Sequence, residues 1–235
     1  MKKQSSKIIT LLSGGMDSTT LLWHVANIFD EVYVISFDYG QRHKTELKYA
    51  KELVKHPDVT HKIKDHIIVE IPHYKSLNTR SALLAQGPEV PTAPYTSEIP
   101  STNVPSRNLV FLSIASSFAN ELGIEYIGIG VHATDSPYPD CRPEFITAVE
   151  AAINAGSPLT VKDKKRIHVY APFLGFTKAD IAYEGLLLNV PYELTYSCYK
   201  GTEPPCGECA TCIQRNEALE EAKKRFEKLL NSRSS

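Results

Sequence analysis

The chain predicts an α/β fold: a doubly wound parallel sheet followed by a small, cysteine-bearing C-terminal subdomain. Short apolar runs alternate along it with segments whose apolar residues recur at helical spacing. Those runs are continuously apolar, which marks strands buried on both faces, as in a parallel sheet. Gly14-Gly15 separates the first run from the first helical segment, the place where such a sheet makes its tightest turn. Four of the five cysteines fall after Leu194, outside that rhythm.

The elements follow in order. Ile8-Ile9-Thr10-Leu11-Leu12 reads as the first strand, and the next segment carries Leu21, Leu22, Val25, Ala26 and Phe29 on one helical face. Val32 to Phe37 is a second strand, Lys44 to Val54 a helix, and Ile67 to Ile71 a third strand. Arg107 to Leu122 has a broad core face through Leu109, Leu112, Ala115, Phe118, Ala119 and Leu122, and Gly123 stops it. Tyr126 to Val131 is a fourth strand, Phe145 to Ala155 a helix, Ile167 to Tyr170 a fifth strand and Thr177 to Leu188 another helix. A charged amphipathic helix runs from Ile213 to Leu230. From Pro72 to Ser106 there is no periodicity but six prolines, which stiffen the path; the stretch reads as a wall or lid, or as a plain surface excursion.

Composition narrows the function classes. With 235 residues, 42% hydrophobic and 23% charged, the chain can bury a large core. A net charge of −1 argues against a dominant nucleic-acid footprint. The polar lead-in Met1 to Lys7 and the short apolar run behind it suit neither a signal peptide nor a membrane span, so a cytoplasmic protein with no membrane partner is expected.

Leu12-Ser13-Gly14-Gly15-Met16-Asp17-Ser18-Thr19-Thr20-Leu21-Leu22 is the richest stretch. Two glycines let the backbone approach a ligand, the helix behind them aims N–H groups and its positive end there, and hydroxyls follow. Such a site suits phosphate. No Lys follows the glycines, so it is not a Walker loop. The hexapeptide Ser13 to Ser18 resembles the pyrophosphate loop of ATP pyrophosphatases; the alternative is a plain strand–turn–helix with a hydroxyl cap.

Further groups stand at strand ends. Asp38-Tyr39-Gly40-Gln41-Arg42-His43 borders the expected base and ribose, and Arg42 or His43 could touch phosphate or lie in a solvated turn. Ser106 reads as an N-cap, while Arg107 puts a cation at the positive end of a helix; a bound phosphate or substrate carboxylate would reconcile the two, a surface ion pair being the alternative. Lys178 poses the same question. Asp135 and Asp140 could hold Mg²⁺ or an amidine-like edge, Tyr138 could stack on a heterocycle, and Arg142 lies beside them. Cys198, Cys206, Cys209 and Cys212 offer four thiolates for a closed, structural Zn²⁺ site, with an iron–sulfur cluster or a redox pair as alternatives. The boundary then falls after Leu194, with residues 1–194 the nucleotide-binding and catalytic domain and 195–235 the zinc knuckle and its helix.

Taken together, the glycine loop, Phe37 to His43, Val104-Pro105-x-Arg107-Asn108, Tyr138-Pro139-Asp140-Cys141-Arg142 and the four cysteines resemble one family, the 7-cyano-7-deazaguanine synthases. The likeness runs from Ile8 to Asn216. One departure stands out: Asp135-Ser136-Pro137-Tyr138 is one residue shorter than the family pattern and lacks its glycine. The resemblance implies an ATP pyrophosphatase-type fold and an ATP-dependent carbon–nitrogen ligase acting on 7-carboxy-7-deazaguanine and free ammonia, with Mg²⁺ beside ATP and one structural Zn²⁺. It implies ATP binding by Leu12 to Leu22, catalysis by Ser13, Asp17, Ser18, Arg107 and Lys178, and substrate binding by Arg107, Asp135, Tyr138, Asp140 and Arg142. It leaves room for a homodimer. Two rivals remain: a tRNA thiolase with Cys141 as sulfur carrier, and a non-catalytic zinc-stabilised nucleotide-binding module.

Overall fold

The computed structural model describes residues 6–76, 80–92 and 99–233. Met1 to Ser5 of the lead-in and Pro94 of the proline-rich stretch lie outside these residues.

The parallel strands are β1 (Lys7–Leu11), β2 (Glu31–Asp38), β3 (Ile63–Glu70), β4 (Tyr126–Gly128) and β5 (His168–Tyr170), ordered β3-β2-β1-β4-β5. The principal helices are α1 (Met16–Ile28), α2 (Glu46–Leu53), α5 (Arg107–Leu122), α6 (Pro143–Gly156), α8 (Lys178–Leu187) and α9 (Ala210–Arg233). Shorter ones, α3 (Pro57–Thr60), α4 (His73–Ser76) and α7 (Pro158–Asp163), fill connections.

Side chains of the central strands alternate between two cores. Ile9, Leu11, Ile35 and Phe37 pack toward α5 and α6, whereas Ile8, Val32 and Val34 pack toward α1, α8 and, through Ala218 and Ala222, α9. The sheet is therefore doubly wound, as its continuous apolar runs require. Strand order reverses between β1 and β4, so a crevice opens at their carboxyl ends.

Four expectations need adjustment. β3 begins earlier and is only half buried, because it is an edge strand whose outer side meets solvent. β4 ends at Gly128; Ile129 still donates to Tyr170 O of β5 at 3.0 Å, and Gly130 and Val131 go on past the ladder to wall the crevice. Ser106 sits at the N-cap position with φ 54 and no side-chain capping bond; the carboxylate of Asp140 accepts the Asn108 N–H at 2.9 Å instead. The proline-rich stretch is no surface excursion where it is described: Tyr74, Leu83, Leu84 and Val104 belong to the core, and Leu84 bridges Gln41.

Candidate active site

The glycine loop is held from both sides. Gly14 has φ 94, and a Cβ there would lie 2.4 Å from the Glu46 carbonyl oxygen, so only glycine lets β1 turn against α2. Its own carbonyl accepts the Tyr196 N–H at 2.9 Å. Inside the loop the Ser13 N–H donates to Ser18 Oγ at 3.2 Å, and the two hydroxyls lie 3.0 Å apart. Gly15, which precedes α1, offers no side-chain cap, leaving the helix's first N–H groups for a ligand.

At the β1–β4 switch point four charged or titratable side chains converge. Lys178 Nζ lies 3.3 Å from Asp17 Oδ2, and His132 Nε2 lies 3.6 Å from Asp17 Oδ2 and 3.3 Å from Asp135 Oδ2. Burial alone would raise the Asp17 carboxyl, but Lys178 and His132 outweigh it and hold the group well below the carboxylate range. Burial likewise opposes charge on His132 and Lys178, and the two carboxylates still raise both. Burial raises Asp135, against the pull of His132 and Lys178. Asp17 Oδ1 is buried without a hydrogen-bond partner. The Lys178 position is thus explained by Asp17, its partner across the crevice.

Beyond the loop the crevice continues between β2, α2 and α5. Arg107 lies over the Tyr39 ring at 5.9 Å and donates to its hydroxyl at 3.4 Å. Burial pushes Tyr39 up to about 12, although Arg107 opposes it. Burial disfavours the charge on Arg107, yet Tyr39, Tyr199 and Asp140 outweigh it and keep the guanidinium protonated. Phe37 and Phe111 stack with centroids 4.0 Å apart, and Glu46, His43 and Tyr199 complete this end. The cleft runs without a break from the glycine loop to this end and is open to solvent at its mouth.

The four cysteine sulfurs all lie within 4.8 Å of one another, a donor set that suits a tetrahedral metal ion. Backbone N–H groups of Cys206 and Cys209 donate to Cys198 Sγ and Cys206 Sγ, each at 3.4 Å, as thiolates in a metal knuckle require. Tyr196, Ser197, Tyr199 and Thr211 of this segment line the cleft.

Of the residues picked from sequence, Leu12, Ser13, Gly15, Met16, Asp17, Ser18, Arg107, Asp135, Tyr138 and Lys178 line the cleft together. Others are placed elsewhere. Leu21 and Leu22 are fully buried in the α1 core, and the hydroxyls of Thr19 and Thr20 bond to Gly15 O and Met16 O at 2.7 and 2.9 Å. Gly14 serves the packing against α2. Asp140 caps α5 rather than facing the cleft, and its charge only adds to those of Tyr39 and Tyr199 in keeping Arg107 protonated. Arg142 Nε donates to Ser136 O at 2.8 Å, which stiffens the shortened loop. Arg42 is spent on Gly87 O and Pro88 O at 2.8 and 3.1 Å. Sequence reasoning missed His132 and Glu46. His132 follows the carboxyl end of β4, a place that the topology alone marks as functional.

A glycine loop at the switch point, with a buried lysine–carboxylate–histidine cluster before it, defines a nucleotide-handling α/β enzyme. Residues 7–223 match the family described as queuosine biosynthesis protein QueC, and the chain belongs to that family. A curated relative from Aquifex aeolicus, 7-cyano-7-deazaguanine synthase, is 65% identical over 220 residues, covering 93% of this chain and 98% of the relative. Its namesake from Persephonella marina is 58% identical over 217 residues, covering 92% and 93%. An archaeal one from Thermoplasma volcanium is 44% identical over 220 residues, covering 92% and 87%. Among the described residues no helix is long and apolar enough to cross a membrane.

Proposed function

We propose that this cleft converts 7-carboxy-7-deazaguanine and ammonia to 7-cyano-7-deazaguanine at the expense of ATP, on the way to queuosine. The observation that carries the reading is the Asp17–Lys178–His132–Asp135 cluster set against the glycine loop, in a chain of this family. Free ammonia as nitrogen source, a cytoplasmic setting and a homodimeric assembly belong to the same reading.

A carboxylate cannot expel oxide, so each of its two oxygens must leave bound to phosphorus. Attack on ATP gives an activated acyl species, ammonia displaces the activated oxygen to form an amide, and activation of the amide oxygen followed by its loss leaves the nitrile. The work required is positioning and charge compensation rather than covalent catalysis. Ser13, Ser18 and the first N–H groups of α1 cradle the phosphates, and Lys178 compensates charge on the departing group. Arg107 binds the substrate carboxylate, with Tyr138 and Asp135 at the substrate edge.

Asp17 fits Mg²⁺, since its Oδ1 is buried and unpartnered, and Asp135 stands close enough to His132 and Lys178 to share the site's charge. The ion would neutralise phosphate charge there. The four cysteines fit one structural Zn²⁺, because four sulfurs leave no position for water.

Cys141 is poorly suited to carry sulfur. Burial pushes its thiol far above the ordinary range, and Sγ accepts the Asn108 amide at 3.3 Å and donates to Asp140 Oδ1 at 3.9 Å. With the acid, ATP and ammonium supplied, mass spectrometry should find the nitrile. ATP turnover that yields no nitrile, or that requires tRNA and sulfide, would overturn the reading.

A further inference from the structure

The chemistry above leaves a buried group at the far end of the cleft unused. Glu46 opens α2, is 7% exposed and lines the cleft. Its Oε1 accepts the Gln41 amide at 3.2 Å and lies 3.5 Å from His43 Nε2. His43 also lines the cleft, is 4% exposed, and has a buried Nδ1 with no hydrogen-bond partner. Nothing here demands a carboxylate for the fold, because a glutamine at 46 could pair with Gln41 just as well.

Once a ligand's N–H donors draw its proton off, Glu46, buried beside the unpartnered Nδ1 of His43 and an aromatic wall, has a clear complement. It suits a flat heterocycle whose edge offers two adjacent N–H donors and an acceptor, the 2-amino-4-oxopyrimidine edge shared by guanine-type bases. Phe37, Phe111 and Tyr39 supply the apolar wall, with Tyr39 and Phe111 rings 5.5 Å apart. Arg107, over Tyr39, stands ready for an anionic substituent on that heterocycle. Adenine presents a different edge, so this end discriminates the substrate from the nucleotide cosubstrate.

We propose that Glu46, aided by His43, is the specificity-determining residue that reads the 2-amino-4-oxopyrimidine edge of the heterocyclic substrate. This rests on the function proposed above for the choice of heterocycle, while the edge chemistry rests on Glu46 and His43 alone. A site that pairs buried polar groups with a ligand's N–H rejects the analogue lacking it by several orders of magnitude.

The test compares binding and turnover. Calorimetry on the purified protein measures 7-carboxy-7-deazaguanine and its 2-oxo analogue, 7-carboxy-7-deazaxanthine, and steady-state kinetics follow with ATP and ammonium saturating. The wild type should favour the 2-amino compound at least tenfold. Glu46→Gln should weaken that compound at least tenfold, collapse the preference, and leave the KM for ATP within twofold. Should Glu46→Gln fail to fold, Glu46→Asp and His43→Gln, screened by melting temperature, should show the same loss. Equal losses for both heterocycles, an equal loss for ATP, or a wild type that binds neither would overturn the proposal. A wild type that binds the 2-amino acid through Glu46 but forms no nitrile would overturn the proposed function and leave Glu46 as the reader.

Discussion

Glu46 also leaves a signature in stability. Burial pushes its carboxyl up to about 8, against the pull of the Gln41 amide and Arg107. Gln41 and His43 face it from the turn before α2, Tyr39 from the end of β2 and Arg107 from the start of α5. His43 is held down to about 3 by burial and by Arg107, so it stays neutral. An unfolded chain releases the Glu46 proton near pH 4.3, while the folded chain keeps it to about 8. The folded state therefore loses stability as pH rises between those values. Glu46→Gln carries no such proton, so its melting temperature should gain on the wild type from pH 5 to pH 8. A constant difference across that range would mean that Glu46 ionises freely. Sequence showed the glycine loop because sequence-adjacent residues make it. It hid Glu46 and His132, whose roles come from what lies across the crevice. It also assigned Asp140 to a ligand, because nothing local told that the carboxylate reaches the start of α5, 32 residues back along the chain.

At the scale of elements, local patterns were readable and lengths less so. α5 and its glycine stop follow from spacing and from Gly123 at φ 65, although Leu109 and Leu122, expected on the core face, are exposed. β4 fell short of the apolar run, whose last residues wall the cleft, and glycine at 130 leaves the backbone room to pass close to Asp17. The coupling between knuckle and nucleotide loop was not legible, since it depends on α9 returning to the body. Arg215 of α9 donates to Tyr192 O at 2.6 Å and Ser197 Oγ at 3.4 Å, and Tyr196 between them holds Gly14. Hydrogen bonds to a charged donor contribute about 1.5–3 kcal/mol each, so losing this brace should loosen the wall without emptying the metal site. Arg215→Met should keep its metal content while the KM for ATP rises at least about fivefold, and Arg215→Lys should recover part of it. An unchanged KM for ATP would make Arg215 a stabilising residue and nothing more.

For the whole molecule, the cysteine cluster joins parts that the two large cores do not. Its apolar surroundings are few: Ala82 and Val90 from the proline-rich stretch, Tyr196 from the segment that binds Gly14, and the half-buried Tyr49 and Tyr199. So small a cluster cannot hold that junction by burial alone, whereas a tetrahedral ion binding four thiolates contributes folding free energy directly. The main body does not depend on it, because α9 is anchored to the α1 and α8 core through Ala218 and Ala222. Removing one ligand should therefore melt the junction before the molecule. Cys206→Ala should lose about one Zn²⁺ per chain, and its melting temperature should fall by at least about 5 °C, which about 2 kcal/mol already produces in a domain this size. Helical circular dichroism should persist at 25 °C, while ATP binding weakens because Tyr196 no longer fixes Gly14. Chelation of the wild type should reproduce both changes, and added zinc should reverse them. A metal-free Cys206→Ala protein with unchanged melting temperature and ATP affinity would show that the cluster neither stabilises the fold nor serves the cleft.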